Sequence, residues 1–339
     1  MHLRTGHKKS VKKGLVYQLL LLLLLWGCMK PADLKAAIVS TNHMKYSYSE
    51  LVSDINSLQK KYPNYVHYNV IGKSTDKRNL YEVVLGNPDA KKHLLVIANL
   101  HAREYMTIQL SMAQIERYCQ NYNKKINKKL VSKTLGSVAI HYIPSANPDG
   151  TAISQYGFGA IRNNKWKKAL KNMSGGSYRW KSNARGVDLN RNWPIAWKHS
   201  GSRGSAGYRG PKAASEPEIK AMIRWVNRIQ KRGKIVGVVS YHSTGSILYG
   251  RCAGQASSQV KKQTTRMYKL AESLTGYGLM PTESISYARG CSREYFLYKK
   301  NIPCITLEVG YEACPLGAGE FPSIWKKNKD LVIREAMLF

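Results

Sequence analysis

The chain has 339 residues, enough to bury one large core or two smaller ones. Aromatic content is ordinary and Gly and Pro are not enriched, which argues against a fibrous or low-complexity chain. Lysine and arginine total 54 against 20 aspartates and glutamates, a net charge of +34 that suits an anionic partner or surface, with a generically solvated basic surface as the alternative; the basic residues recur as scattered pairs rather than on one arm, which argues against a specific nucleic-acid binder.

His2, Arg4, Lys8, Lys9, Lys12 and Lys13 make a basic start, followed by an apolar stretch from Leu15 to Trp26 broken only by Gln18. The stretch falls short of the ~20 residues that span a bilayer. Residues 1–30 therefore read as a secretory signal, with an uncleaved anchor as the alternative, and the protein is expected to be exported, extracellular or associated with the cell envelope. Leu25-Trp26-Gly27-Cys28 resembles a lipoprotein cleavage site, although Trp26 fills a slot that usually holds a small residue. Contact with a membrane is expected only through this segment or a lipid on Cys28. Everything from about residue 46 to 339 reads as one domain.

Leu51, Ile55 and Leu58 share one face of a helix predicted over Tyr48–Tyr62, with Ser49 as its cap. Val66–Val70 and Leu80–Leu85 read as paired strands around a polar turn at Thr75-Asp76-Lys77. Four short, nearly continuous apolar runs follow: Leu94–Leu100, Val138–Ile143, Ile235–Ser240 and Ile305–Val309. Strands buried on both faces have this composition. Helical stretches at Met106–Tyr118, Pro217–Gln230 and Ser258–Leu274 lie between them. The alternation predicts an α/β fold: a single domain with a mixed, mostly parallel twisted sheet and helices on both faces.

The polar residues at the ends of these runs carry the chemistry. His101 follows Leu94–Leu100, His242 follows Ile235–Ser240, and Glu308 lies near the end of Ile305–Val309. In open α/β sheets the ligand crevice lies at the carboxyl ends of the strands, so the three are expected to converge. His101 and Glu104 form H-x-x-E, which reaches one metal ion only if the backbone curls between them. A catalytic zinc site uses three such ligands and leaves one position open. H-x-x-E alone arises often by chance, and a lone strand-end histidine is more often structural; the shared strand-end placement weighs against both. His43, His67, His93, His141 and His199 have no motif around them and read as structural or surface residues. Cys119, Cys252, Cys291, Cys304 and Cys314 are odd in number and lack metal-type spacing, so disulfide pairing stays open.

The motifs around these residues resemble those of the zinc carboxypeptidases of the A/B type. His101-Ala102-Arg103-Glu104-Tyr105-Met106-Thr107 is similar to that family's zinc-ligand motif. Asn147-Pro148-Asp149-Gly150, Gly186-Val187-Asp188-Leu189-Asn190-Arg191-Asn192-Trp193, Tyr241-His242-Ser243-Thr244-Gly245 and Thr306-Leu307-Glu308-Val309 follow in the family's order. The resemblance implies one zinc ion per chain on His101, Glu104 and His242, with Glu308 as general base. It implies that Asn190 and Arg191 bind a substrate carboxylate, and that Tyr287 caps the bound substrate. Arg293 aligns at the floor of the pocket beyond the cut, where it either receives an acidic side chain or pairs with Glu294 and faces solvent. The family's oxyanion arginine is missing. Lys181, in Trp180-Lys181-Ser182-Asn183, is the preferred replacement and Lys167 the other candidate. The resemblance is greatest to the branch that cuts γ-D-glutamyl–diamino-acid bonds in peptidoglycan peptides, and the anionic envelope is the expected partner. Removal of C-terminal residues from ordinary peptides is the alternative within the enzyme class, and non-catalytic binding of an anionic polymer the alternative outside it.

Overall fold

In the computed structural model, which describes residues 37–173, 176–252, 256–280 and 289–339, the apolar runs become the centre of an eight-stranded sheet. The expected signal with Cys28, and Tyr287, lie outside the described residues. Residues 38–339 make up one compact unit. The strands in chain order are β1 (Val66–Lys73), β2 (Asn79–Leu85), β3 (Lys92–Ala98), β4 (Lys125–Ile126), β5 (Lys129–Leu130), β6 (Val138–Ile143), β7 (Lys234–His242), β8 (Ile247–Tyr249), β9 (Gly278–Leu279) and β10 (Cys304–Glu308). The large sheet runs β1-β2-β6-β3-β7-β10-β8-β9, and β4 and β5 form a separate hairpin. Its centre, β6-β3-β7-β10, is parallel. Antiparallel pairings of β1 with β2, β2 with β6 and β10 with β8 surround it.

Side chains on a strand alternate between faces, and here both faces are covered. Leu94, Val96 and Ala98 of β3 pack with the helices Tyr48–Lys61, Met106–Gln120 and Leu331–Ala336. Leu95 and Ile97 pack on the other side with Ile219, Met222, Trp225 and Ile229 of the helix Pro217–Arg232. The same split recurs on β7 between Val239 and Val238. Each such aliphatic side chain contributes roughly 1.5–3 kcal/mol by leaving water, which is why these runs are apolar without interruption.

Several local expectations shift. The first helix is capped by Ser47, not Ser49: Ser47 Oγ accepts from Glu50 N at 3.1 Å and the Glu50 carboxylate accepts from Ser47 N at 3.4 Å. Ser49 lies inside the first turn, where its side chain reaches no orphan amide of the helix start. The turn at residues 75–77 is pinned by Asp76, which is buried and accepts from Arg78, from Arg162 N and from Asn163 N. His93 and His141, read as structural, form a buried chain in which His93 Nδ1 lies 2.9 Å from His141 Nε2 and His141 Nδ1 lies 2.8 Å from Glu82. All five described cysteines are free thiols.

Candidate metal centre and its cleft

β3 ends at Ala98, and the chain must turn at once to bring His101 over the sheet edge. Asn99 makes that turn with φ of 57°, a conformation Asn tolerates better than most residues. Its side chain is fully buried and occupied on both ends. Nδ2 donates to His101 O at 3.1 Å, and Oδ1 accepts from Ser145 Oγ at 2.9 Å and Thr151 Oγ1 at 2.7 Å. Thr107 Oγ1 donates to Glu104 O at 2.7 Å as the helix starts at Met106. H-x-x-E thus sits in a pinned strand-to-helix junction, the curl its spacing requires.

His242 is the last residue of β7 and Glu308 the last of β10, paired in parallel register. His101 Nδ1 lies 2.7 Å from Glu104 Oε1, His242 Nδ1 lies 2.8 Å from Glu104 Oε2, and the two Nδ1 atoms are 3.2 Å apart. All three side chains are buried. At these distances either a proton on an imidazole or a metal ion can sit between the histidines and the carboxylate, and the three donor atoms converge on one point as metal ligands do. The 3.2 Å between the two Nδ1 atoms is near the roughly 3.3 Å that tetrahedral bonds of ~2.0–2.1 Å would set between zinc ligands, and the two contacts to Glu104 are shorter. The donor set therefore fits zinc. Burial pushes the Glu104 carboxyl up, but His101 and His242 outweigh it and hold it well below the usual range. Glu308 goes the other way, raised by burial and by the charge of Glu104, with His242 only partly opposing.

Asp188 orders the far side of His101. It is fully buried, with Oδ1 3.2 Å from His101 Nε2 and Oδ2 3.1 Å from Lys181 Nζ. Burial would raise its pKa, yet Lys181 and His101 hold it well below the ordinary value. A carboxylate on the outer nitrogen of a ligating imidazole fixes the ring and its tautomer. Lys181 does line the cleft, but its ammonium is held by this carboxylate.

The cleft holds about 700 Å³. Asn190 and Arg191 reach it from the short turn Leu189–Arg191. Asn190 Oδ1 accepts from Ser292 N and Oγ, and Arg191 Nη1 donates to Asn190 O and to Cys291 Sγ, both at 2.9 Å. Gly290 makes this possible: it has φ of 76°, and a Cβ there would stand 2.2 Å from Arg191 O. Arg293 combines the two readings offered for it. It lines the cleft and is largely buried rather than facing solvent, yet it pairs with Glu294 Oε1 at 2.9 Å and donates to Arg251 O at 3.0 Å. An acidic substrate group would share that guanidinium rather than meet it alone. Reading the motifs did not assign Arg103, Arg179, Asp188, Cys291 or Cys314. Arg103 and Asp188 stand inside quoted motifs; Arg179, Cys291 and Cys314 carry no local signal, yet line the cleft.

A two-histidine, one-carboxylate cluster beside a further carboxylate, at the carboxyl edge of an α/β sheet, defines a metal-dependent hydrolase site. The chain belongs to the zinc carboxypeptidase family, whose pattern matches residues 51–330, and so to the zinc-dependent peptidases. It is 26% identical over 294 residues to gamma-D-glutamyl-L-diamino acid endopeptidase 1 of Lysinibacillus sphaericus, covering 83% of this chain and 70% of that one. It is 26% identical over 206 residues to carboxypeptidase A2 of Rattus norvegicus, covering 60% of this chain and 45% of that one. In sequence, the match thus spans about half the length of the curated carboxypeptidases. Among solved structures, carboxypeptidase A from Helicoverpa armigera shares the fold at a TM-score of 0.65 and 19% identity, over 98% of this chain and 80% of that one. A murein-tripeptide amidase from Escherichia coli O157 does so at a TM-score of 0.50 and 20% identity, over 80% of this chain and 97% of that one.

Proposed function

We propose that the chain is an exported zinc peptidase that cuts γ-D-glutamyl–diaminopimelate bonds in cell-wall peptides. The observation that carries this reading is the charge of the cleft: Arg103, Arg179, Lys181, Arg191 and Arg293 surround the metal cluster and Glu308. A γ-linked D-glutamyl residue presents a free α-carboxylate, and diaminopimelate adds another at its side-chain end. An ordinary C-terminal peptide is required to offer only one. The name of the relative in Lysinibacillus sphaericus supports the same substrate class.

When bound on His101, Glu104 and His242, zinc supplies Lewis acidity and a water of lowered pKa. Glu308 takes the proton of the attacking water and delivers it to the leaving amine. Its raised affinity for a proton suits that relay. Arg191, with its planar fork, and Asn190 bind the substrate carboxylate. Asp188 holds His101 in orientation, and Lys181 adds positive charge at the cleft wall near the developing oxyanion.

The test is digestion of defined muropeptides beside ordinary C-terminal peptides, with product masses measured. Release of diaminopimelate-containing products, at a kcat/KM at least tenfold above that for ordinary peptides, is expected. Preferential trimming of ordinary C-terminal residues overturns the cell-wall reading and leaves the carboxypeptidase reading that the Rattus norvegicus relative favours. Export belongs to the same proposal and is checked by fractionating cells that express the full chain.

A further inference from the structure

Because β3, β6 and β7 run parallel, their first residues gather at one edge of the sheet and the metal ligands at the other. Lys92 opens β3 and Lys234 opens β7, whereas His242 closes β7 and His101 follows the end of β3. Six steps of about 3.3 Å along β3 put the two edges ~20 Å apart. The edge far from the metal centre is built to carry charge. The β4–β5 hairpin turns through Asn127 and Lys128, both at positive φ, 49° and 66°. Ile126 anchors it in the core, so Lys125, Lys128 and Lys129 are left exposed. The helix Val131–Ser137 adds Lys133.

These four lysines line a groove of about 390 Å³ with an apolar floor of Leu130, Ala336, Met337 and Phe339. No acidic side chain lines it. Among the described residues none of the four lysines belongs to an ion pair. The cationic edge extends past the groove. Lys129 donates to Met337 O at 3.0 Å, Arg266 to Leu338 O at 3.0 Å, and Lys92 to Phe339 O. Asp89, in the connection before β3, is paired with Arg232 at 3.4 Å. Four lysines against one terminal carboxylate, that of Phe339, leave the groove net positive, and an anionic ligand lowers the self-repulsion.

We propose that this groove binds a linear phosphodiester polymer without bases, of the poly(glycerol phosphate) kind. A concave strip suits a chain better than a flat bilayer surface. Lysine ammonium is a compact charge that meets phosphate oxygens without the fork that reads base edges. The single ring among the lining residues, Phe339, is half-buried, a poor platform for stacking bases. A polymer held at this edge leaves the cleft at the opposite edge open to substrate. Binding here needs no turnover, so it stands apart from the peptidase reading.

The test uses the full chain and purified poly(glycerol phosphate), with affinity measured across a salt series. The combined substitution Lys125→Gln, Lys128→Gln and Lys133→Gln is expected to weaken binding at least tenfold near ~100 mM salt. It should also flatten the slope of log K against log salt by roughly two to three, since each lost phosphate contact removes about 0.7–0.9. The control substitution Lys60→Gln, Lys61→Gln and Lys168→Gln removes the same charge from other exposed positions and should bind like wild type. Both variants should hydrolyse a small soluble peptide at the wild-type rate. Equal weakening in the two variants, or none in the first, overturns the groove as the site. Tighter binding to duplex DNA or to anionic vesicles than to the polymer at the same salt overturns the partner.

Discussion

His101 and His242 face each other through Nδ1 across 3.2 Å, with the Glu104 carboxylate closing the third side. Each ligand takes part in one shared geometry, so removing any one leaves two, too few for a stable three-ligand site. His101→Ala is expected to bring zinc from about one per chain to near none by elemental analysis, with activity lost in parallel; an active, metal-free variant would remove the metal from the mechanism. Glu308 differs in kind, because it stands beside the cluster at the end of β10. Glu308→Gln keeps shape and volume but cannot relay a proton. Its zinc content should match wild type while kcat drops ~10²-fold or more, the scale of a general base. Unchanged turnover assigns the base elsewhere.

The elements decide whether these side chains meet. Two turns do most of that positioning: Asn99, which bends the chain after β3, and Gly290, which lets the 289–292 segment lie against Arg191. Trp193 N donates to Gly290 O at 3.0 Å and Gly290 N to Ile195 O at 2.9 Å, so the turn that carries Asn190 and Arg191 is zipped to this glycine on both sides. A methyl group there would stand 2.2 Å from a backbone oxygen at a φ that disfavours any side chain. Gly290→Ala should therefore cost ~1–3 kcal/mol of stability and lower kcat/KM at least tenfold, chiefly through KM, since Arg191 moves while the metal ligands do not. Zinc analysis beside steady-state kinetics separates the two, and a variant that loses its zinc first would show that the segment supports the metal centre instead.

For the whole molecule, stability rests on two apolar layers against one sheet, and among the acids buried with them Glu335 stands apart. Glu335, in the helix Leu331–Ala336, is fully buried and neither carboxylate oxygen has a hydrogen-bond partner among the described residues. Burial holds its carboxyl well above the usual glutamate value, with Arg334 only partly opposing. The folded state therefore keeps a proton that the unfolded chain releases above about pH 4.3. Stability from this group is present below that pH and is lost as pH rises towards the folded value, by up to ~1.4 kcal/mol per unit. Glu335→Gln carries no such proton. Urea midpoints at several pH values from 5 to 8 should show the variant gaining on wild type as pH rises, and parallel curves would mean that Glu335 ionises freely in the fold.

Sequence alone determined the parts of this protein that depend on local composition. A strand covered on both faces has to be apolar throughout, so β3, β6, β7 and β10 were legible within two or three residues. A metal centre needs particular donor atoms, so His101, His242 and Glu308 stood out at the ends of those runs, with Glu104 joined to His101 by H-x-x-E, and a resemblance between ordered motifs named the family. Short elements were not legible: β8 and β9 hold three and two residues, too few for any periodicity to register. Nor could sequence tell which partner a charged side chain would take. Lys181 pairs with Asp188, Arg293 with Glu294, and Arg179 reaches the cleft without a motif of its own. Such pairings follow from where segments far apart in the chain cross, and only the packed tertiary structure sets those crossings.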